Sequence, residues 1–135
     1  MRITTSEYNK VIDIGTSGIW YSMYSTIEVR VPEGIKSRAL KARAFFKTGT
    51  CECEDALETA RELNLLRDAL ANIPPEDAVF DMNNLGRIAP WAGHTSPIVT
   101  SCANLFTTAD GKDLFSELVS ILCYAGINAE AVIIN

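Results

Sequence analysis

The residue best suited to acid–base chemistry is His94, the single histidine of the chain. Its imidazole could act as a general base for a nearby hydroxyl or thiol, and Ser96 and Cys102 follow it in the sequence. Such a nucleophile needs a base that a third group orients, and no nucleophile elbow surrounds these residues. The pattern therefore favours a loop or interface histidine. A small hydrolase or transferase that uses His94 with nearby acids is the alternative.

The cysteines and acids do not show the spacing of a metal centre. Cys51 and Cys53 are separated by one residue, whereas zinc knuckles use two, and no second Cys or His pair follows at the usual distance. Asp110 and Asp113 give only a fragment of a calcium loop, because a lysine intervenes and the later glutamate is missing. The sequence predicts neither a metal nor a cofactor.

Carboxylates are the remaining groups that could take part in a reaction. Glu76, Asp77 and Asp81 lie close together in the sequence, but this proximity does not fix the separation that hydrolytic carboxylate pairs require. The simplest interpretation is a set of solvated surface acids. The alternative with a functional consequence is an acidic patch that faces a partner.

The composition limits the possible classes of protein. A chain of 135 residues is the size of one domain, here 1–135, and its 47% hydrophobic content excludes a disordered chain. A net charge of −5 argues against a nucleic-acid binder, which needs a basic patch, and favours a basic protein partner. No apolar run approaches the ~20 residues that cross a bilayer, so we expect no membrane partner. The first residues show no secretory signal, which predicts a cytoplasmic protein with reduced cysteines.

Aromatic residues are the stronger indication of function. Trp91 lies in a proline-flanked loop, where it could either cover the edge of the core or anchor an interface. Residues 20–30 show an alternation of period two, which predicts a strand. Trp20, Tyr24 and Glu28 are predicted to share the more polar face of that strand. On that face the aromatic rings would lie under a helix or form an exposed patch, and exposed patches generally mark interaction sites.

These residues must be positioned by a mixed set of elements. Residues 11–14 and 20–30 are predicted to form a hairpin around a glycine-rich turn. Further elements follow from helical spacing and branched apolar runs: helices at 37–47, 56–73 and 111–125, and strands at 78–80 and 128–134. The fold class is therefore α+β, a single domain with a mostly antiparallel sheet and helices packed on one face.

The boundaries of the later elements are predicted from caps and breakers. Thr108 or Asp110 is the expected N-cap of the helix at 111–125, and Gly126 is its expected end. Residues 86–97 are predicted to be a loop, and residues 98–106 a short helix that runs into an extended piece.

Several short motifs together resemble a known family. In chain order they are Pro74-Pro75, Val79-Phe80-Asp81, Asn84-Leu85, Pro90-Trp91, Ser96-Pro97-Ile98, Asn104-Leu105-Phe106-Thr107-Thr108 and Asp110-Gly111-Lys112-Asp113-Leu114-Phe115. The series is similar to bacterial immunity proteins encoded beside polymorphic toxins, including those of contact-dependent growth inhibition systems. The resemblance extends over most of the chain from about Gly15.

The resemblance implies a protein that binds and neutralises a cognate toxin domain and has no catalytic residues. Together with the acidic balance it suggests a basic nuclease, with a ribonuclease as the specific case, whose active site is covered. The candidate interface residues are Trp20, Tyr24, Glu28, Glu76, Asp77, Asp81, Trp91 and His94. A regulatory interaction domain without a toxin partner is a further alternative. The oligomeric state stays open.

Overall fold

The computed structural model describes all residues from 1 to 135. The strands are β1 (Arg2–Thr5), β2 (Val11–Asp13), β3 (Thr50–Cys51) and β4 (Val132–Ile134). The helices are α1 (Ser17–Arg30), α2 (Glu33–Lys36), α3 (Leu40–Thr48), α4 (Cys53–Leu70) and α5 (Leu114–Asn128), with a single 3₁₀ turn at Pro75–Asp77. The predicted α+β class is confirmed.

The four strands form one antiparallel sheet in the order β2-β1-β4-β3. Ile3 lies opposite Ile12 on one neighbouring strand and Ile134 on the other, so their side chains point to the same face. Ile3 and Ile12 are buried there beneath the helices, whereas Val11 and Thr50, on the opposite face, are exposed. The helices therefore cover one face of the sheet, as predicted.

Helix α4 is confirmed, because its apolar residues recur every three or four positions, but it ends at Leu70 and not at Ile73. Its buried apolar residues form the expected stripe, and two polar residues that were not predicted are buried beside them: Ala56, Ala60, Leu63, Leu66 and Leu70, with Thr59 and Glu62. Glu54 and Asp55 occupy its first turn, where the helix dipole favours negative charge. None of the five helices is both long enough and apolar enough to cross a bilayer.

The start of α5 differs from the prediction. The helix begins at Leu114, and its N-cap is Asp113, which accepts a hydrogen bond from the backbone N–H of Ser116. Thr108 cannot cap the helix because residues 107–113 fold back on themselves, with the Thr108 N–H donating to the carbonyl of Lys112 at 2.8 Å. The short helix expected within 98–106 is also absent, and this stretch forms turns.

The end of α5 was predicted wrongly at Gly126. The helix continues to Asn128, and Ala129 terminates it in the left-handed conformation with φ 55°. The glycine serves packing instead: a Cβ at position 126 would lie 2.6 Å from Cγ of Leu57 on α4. Gly126 thus permits the close approach of α4 and α5.

The largest correction concerns residues 20–30, which form helix α1 and not a strand. Met23, Ile27 and Val31 are buried and spaced by four, a spacing that fits a period of two as well as the helical period of 3.6. Neither this region nor residues 78–80 join the sheet. The hairpin at the N-terminus is instead β1–β2, so only the predicted strand near 11–14 is confirmed in that region.

Helix α3 depends on a cap from another helix. Ala39 precedes α3 and has no side chain that can accept a hydrogen bond. The Oε1 atom of buried Glu62, on α4, accepts from the backbone N–H of Lys41 at 2.8 Å and of Ala42 at 3.0 Å. This carboxylate satisfies two of the amides that a helix start leaves unpaired.

We predict that Glu62→Ala lowers the free energy of unfolding by about 1–2 kcal/mol, as the loss of an N-cap does. Urea unfolding measures this change. Glu58→Ala on the same helix removes only the exposed pair with Arg61 and should therefore change the free energy of unfolding much less. Equal losses in the two variants would show that Glu62 has no capping role.

Candidate functional site

The long connection between α4 and α5 carries most of the predicted interface residues, and α1 holds it in place. Ser22 donates its hydroxyl hydrogen to the carbonyl of Val79 at 2.8 Å. The N–H of Val79 donates to Oγ1 of Thr26 at 2.9 Å, and the N–H of Met82 donates to Oγ of Ser25 at 3.1 Å. All three hydroxyl residues are fully buried. The connection therefore lies against α1 through side chain–backbone hydrogen bonds, in place of a partner strand.

Two further contacts fix the same stretch at its ends. Nε of Arg30 donates to the carbonyl of Asp77 at 2.9 Å. Nδ2 of Asn83 donates to the phenolic oxygen of Tyr21 at 2.7 Å. Residues 77–83 are thus tied to α1 along their whole length.

The second half of the connection, which leads to α5, is anchored near Cys102, and this residue is fully buried. Its backbone N–H donates to the carbonyl of Ile73 at 2.9 Å, and its Sγ lies 3.3 Å from the carbonyl of Pro74. Burial raises the pKa of the Cys102 thiol to about 12. At neutral pH it is a structural thiol and not a thiolate nucleophile.

Trp91 stands at the centre of the connection. Its ring packs against Phe80 at 5.6 Å between centroids with an interplanar angle of 77°. The guanidinium of Arg87 lies 4.9 Å from the Phe80 centroid, and its Nη1 is 3.5 Å from Oδ2 of Asp81. Trp91 lines two clefts, one of about 390 Å³ beside Glu76 and one of about 240 Å³ beside His94. The indole is half-buried and positioned by packing.

Three aliphatic side chains of the same connection face solvent. Leu85 is 66% exposed, Ile88 78% and Ile98 79%. Exposed apolar side chains are typical of interaction surfaces where they form a patch. We define the Trp91 surface by the following residues: Glu76, Asp77, Asp81, Leu85, Ile88, Trp91, His94 and Ile98.

Five of the eight predicted interface residues therefore lie on the connection between α4 and α5: Glu76, Asp77, Asp81, Trp91 and His94. The other three lie elsewhere. Trp20 is only 6% exposed and packs in the core, 5.6 Å from Phe45 and 4.6 Å from Phe46. Tyr24 stacks on Phe46 at 5.7 Å with nearly parallel rings. These two rings lie under α3, so they do not form the exposed patch that was one of the two expectations.

Glu28 links α1 to α3. Its carboxylate accepts from Nε and Nη2 of Arg43, both at 3.0 Å, and Nζ of Lys36 lies 3.8 Å away. Burial raises the pKa of Glu28, but the bonds and charge of Arg43, helped by Lys36, outweigh burial and lower the net pKa below its ordinary value. Burial, followed by the negative charge of Glu28, raises the pKa of Tyr24. Glu28 is an internal ion-pair residue.

The lowered pKa of Glu28 predicts a pH dependence of stability. A carboxylate with a depressed folded-state pKa stabilises the fold above its unfolded pKa, and this contribution is lost as the pH falls through the folded value. Glu28→Gln should therefore be less stable than wild type at pH 7, and the difference should shrink below about pH 4.5, the ordinary value. Urea unfolding at pH 7 and at acidic pH measures it.

Glu7→Gln, which changes an exposed acid without an ion pair, is the control for the Glu28 experiment. A gap between wild type and Glu28→Gln that stays constant with pH would contradict the assigned ion pair.

His94 lacks the arrangement of a catalytic base. The residue is exposed, and no hydrogen bond joins its imidazole to Ser96 or Cys102, although Ser96 lines the same cleft. No group of three or more His, Cys, Asp or Glu side chains is placed to hold a metal ion. The geometry of this surface suits contact with another molecule.

The model of the family described as Immunity protein 70 (Imm70) matches residues 3–134. The chain belongs to the Imm70 family. The resemblance to bacterial immunity proteins is thereby confirmed, and it extends to the first strand, before Gly15. No curated protein and no solved structure matches the chain. Imm70 membership implies an immunity protein that binds a cognate toxin.

Sequence reasoning missed two sets of residues in this Imm70 protein. The exposed aliphatic residues Leu85, Ile88 and Ile98 had a signal, because each stands within two residues of a glycine or proline in a stretch without periodicity. The hydroxyl residues of α1 also had a recognisable sequence pattern. Ser22 and Thr26 are four residues apart, the spacing of one helix face.

We predict that Thr26→Val destabilises the protein by about 1–3 kcal/mol more than Thr26→Ser, because valine leaves the buried N–H of Val79 without an acceptor. Serine loses the methyl group but keeps the hydroxyl, so it is the matched control. Amide hydrogen exchange at Val79 should accelerate only in Thr26→Val. Equal stability and equal exchange in the two variants would show that the hydroxyl does not hold the connection.

Proposed function

We propose that this protein neutralises its cognate bacterial toxin domain by placing the Trp91 surface over the toxin's active site or substrate groove. The observation that carries the proposal is the convergence of a half-buried tryptophan, exposed aliphatic side chains and acids on one connection that α1 anchors. A hot spot at a protein interface has this composition, with an aromatic anchor inside a polar rim. We assign the system to the contact-dependent growth inhibition type and its site of action to the cytoplasm.

The charge of the molecule supports a nuclease as the toxin, with a ribonuclease as the specific case. A nuclease binds phosphates through a basic groove, and the net charge of this chain is −5. Within the Trp91 surface, Asp81 is paired with Arg87, but Glu76 and Asp77 are exposed acids without an ion pair. These carboxylates would occupy positions that the phosphates of the substrate take.

The anchored connection supports tight binding. Residues 77–83 are already ordered by buried hydrogen bonds, so the toxin need not supply the free energy of ordering them. Opposite charge accelerates encounter, and the apolar centre around Trp91 slows dissociation.

The enzyme alternative has less support. An exposed His94 without an orienting partner and a Cys102 thiol with a pKa near 12 do not make an activated nucleophile. A regulatory domain without a toxin partner is disfavoured by membership of an immunity family.

We predict a complex between the purified chain and the toxin domain encoded beside it, with a Kd in the nanomolar range, about −12 kcal/mol. Ile88→Ala should raise the Kd by about tenfold if the Trp91 surface is the interface. Ile127→Ala is the matched control, because Ile127 on α5 is 75% exposed and Ile88 is 78% exposed. Calorimetry or biolayer interferometry gives both constants.

Biolayer interferometry repeated with added salt tests whether opposite charges accelerate association. The association rate should fall as ionic strength rises, and the dissociation rate should change little. The absence of a complex at micromolar concentration would reject the proposed function. Equal effects of Ile88→Ala and Ile127→Ala would reject the location, and a salt-independent association rate would reject charge steering.

A further inference from the structure

The larger cleft beside Trp91 has walls of unequal character. Part of its lining comes from Pro75, Glu76 and Ala78, and the rest comes from residues between Arg87 and Thr95. The indole of Trp91 and the aliphatic side chain of Ile88 contribute apolar lining, and Glu76 contributes a carboxylate. The volume is about 390 Å³, within the ~300–1,000 Å³ range of small-ligand pockets. A single long side chain therefore has room in it.

Glu76 carries the uncompensated charge of this cleft. Arg87 also lines it, but its guanidinium lies over the ring of Phe80 and pairs with Asp81, so these two charges offset each other. Glu76 forms no ion pair and is exposed. A cleft that contains an indole, an aliphatic side chain and one unpaired carboxylate is complementary to a long side chain that ends in a cation.

We propose that this cleft takes an arginine or lysine side chain of the toxin, an assignment that rests on the proposed function. The aliphatic stem of that side chain packs on Trp91 and Ile88, and its cationic head pairs with Glu76. A nuclease uses such cations to hold phosphates, so their capture removes groups that the toxin needs for its substrate. The cleft thus makes the Trp91 surface selective for a cationic side chain.

A direct test uses N-acetyl-arginine methylamide as the probe and its citrulline analogue, which is neutral and nearly the same shape, as the control. The chain has two tryptophans, so its indole N–H signals in a ¹⁵N-correlated NMR spectrum report on two places. The arginine probe should shift the Trp91 signal saturably and leave the signal of buried Trp20 unchanged. Glu76→Gln should weaken that binding by about fivefold. A Trp91 response that is equal for both probes, or absent for both, overturns the assignment.

The toxin domain gives a second, separable test. Glu76→Gln should raise the Kd of the complex by about tenfold. Glu7→Gln is the control, because Glu7 is exposed and lies away from this cleft. Met1, before β1, lines a cleft with Phe80, whereas Glu7 follows the opposite end of that strand. A tight complex that responds equally to both variants overturns the cleft assignment and leaves the proposed function standing. The absence of any complex rejects the function, and with it a toxin side chain as the occupant.

Discussion

The hydrogen bonds between the buried hydroxyls of α1 and the backbone near Val79 determine how the rest of this surface is arranged. A chain segment that crosses a domain without joining a sheet must still satisfy its buried N–H and C=O groups. Ser22 and Thr26 do this for Val79, and Ser25 does it for Met82. Helix α1 therefore has two buried faces, an apolar one toward the core and a hydroxyl one toward the connection. Without the second face the backbone at Val79 and Met82 would lose these partners, and Phe80, on which Trp91 packs, would lose its support.

In the proposed function, buried side chains hold the connection in place and exposed side chains contact the toxin. The ion pair of Glu28 with Arg43 links α1 to α3. The connection contributes Cys102 and Phe106 to the buried core, and Ala78, Trp91 and Leu105 pack against that core. Substitutions at its exposed positions, such as Ile88, should therefore change the proposed binding face at small cost to the fold.

Structural features that depend on local sequence pattern were predicted, and features that depend on tertiary contacts were missed. Helix α4 was identified because its apolar residues fit only the helical period, whereas the interface role of Trp91 stays a prediction. Helix α1 was mistaken for a strand because Met23 and Ile27 are four residues apart, which suits both periods. Gly126 was mistaken for a helix end because its close contact with Leu57 is not visible in one dimension. Burial of Trp20 likewise depends on where α3 lies.

The most direct test of the account is amide hydrogen–deuterium exchange of the chain, alone and bound to the toxin domain. If α1 presents the Trp91 surface to the toxin, new protection will concentrate in residues 74–100. The exposed face of the sheet around Val11 and the outer side of α4 around Arg61 will exchange as in the free protein. Protection centred on the sheet or on α4, with residues 74–100 unchanged, would contradict it.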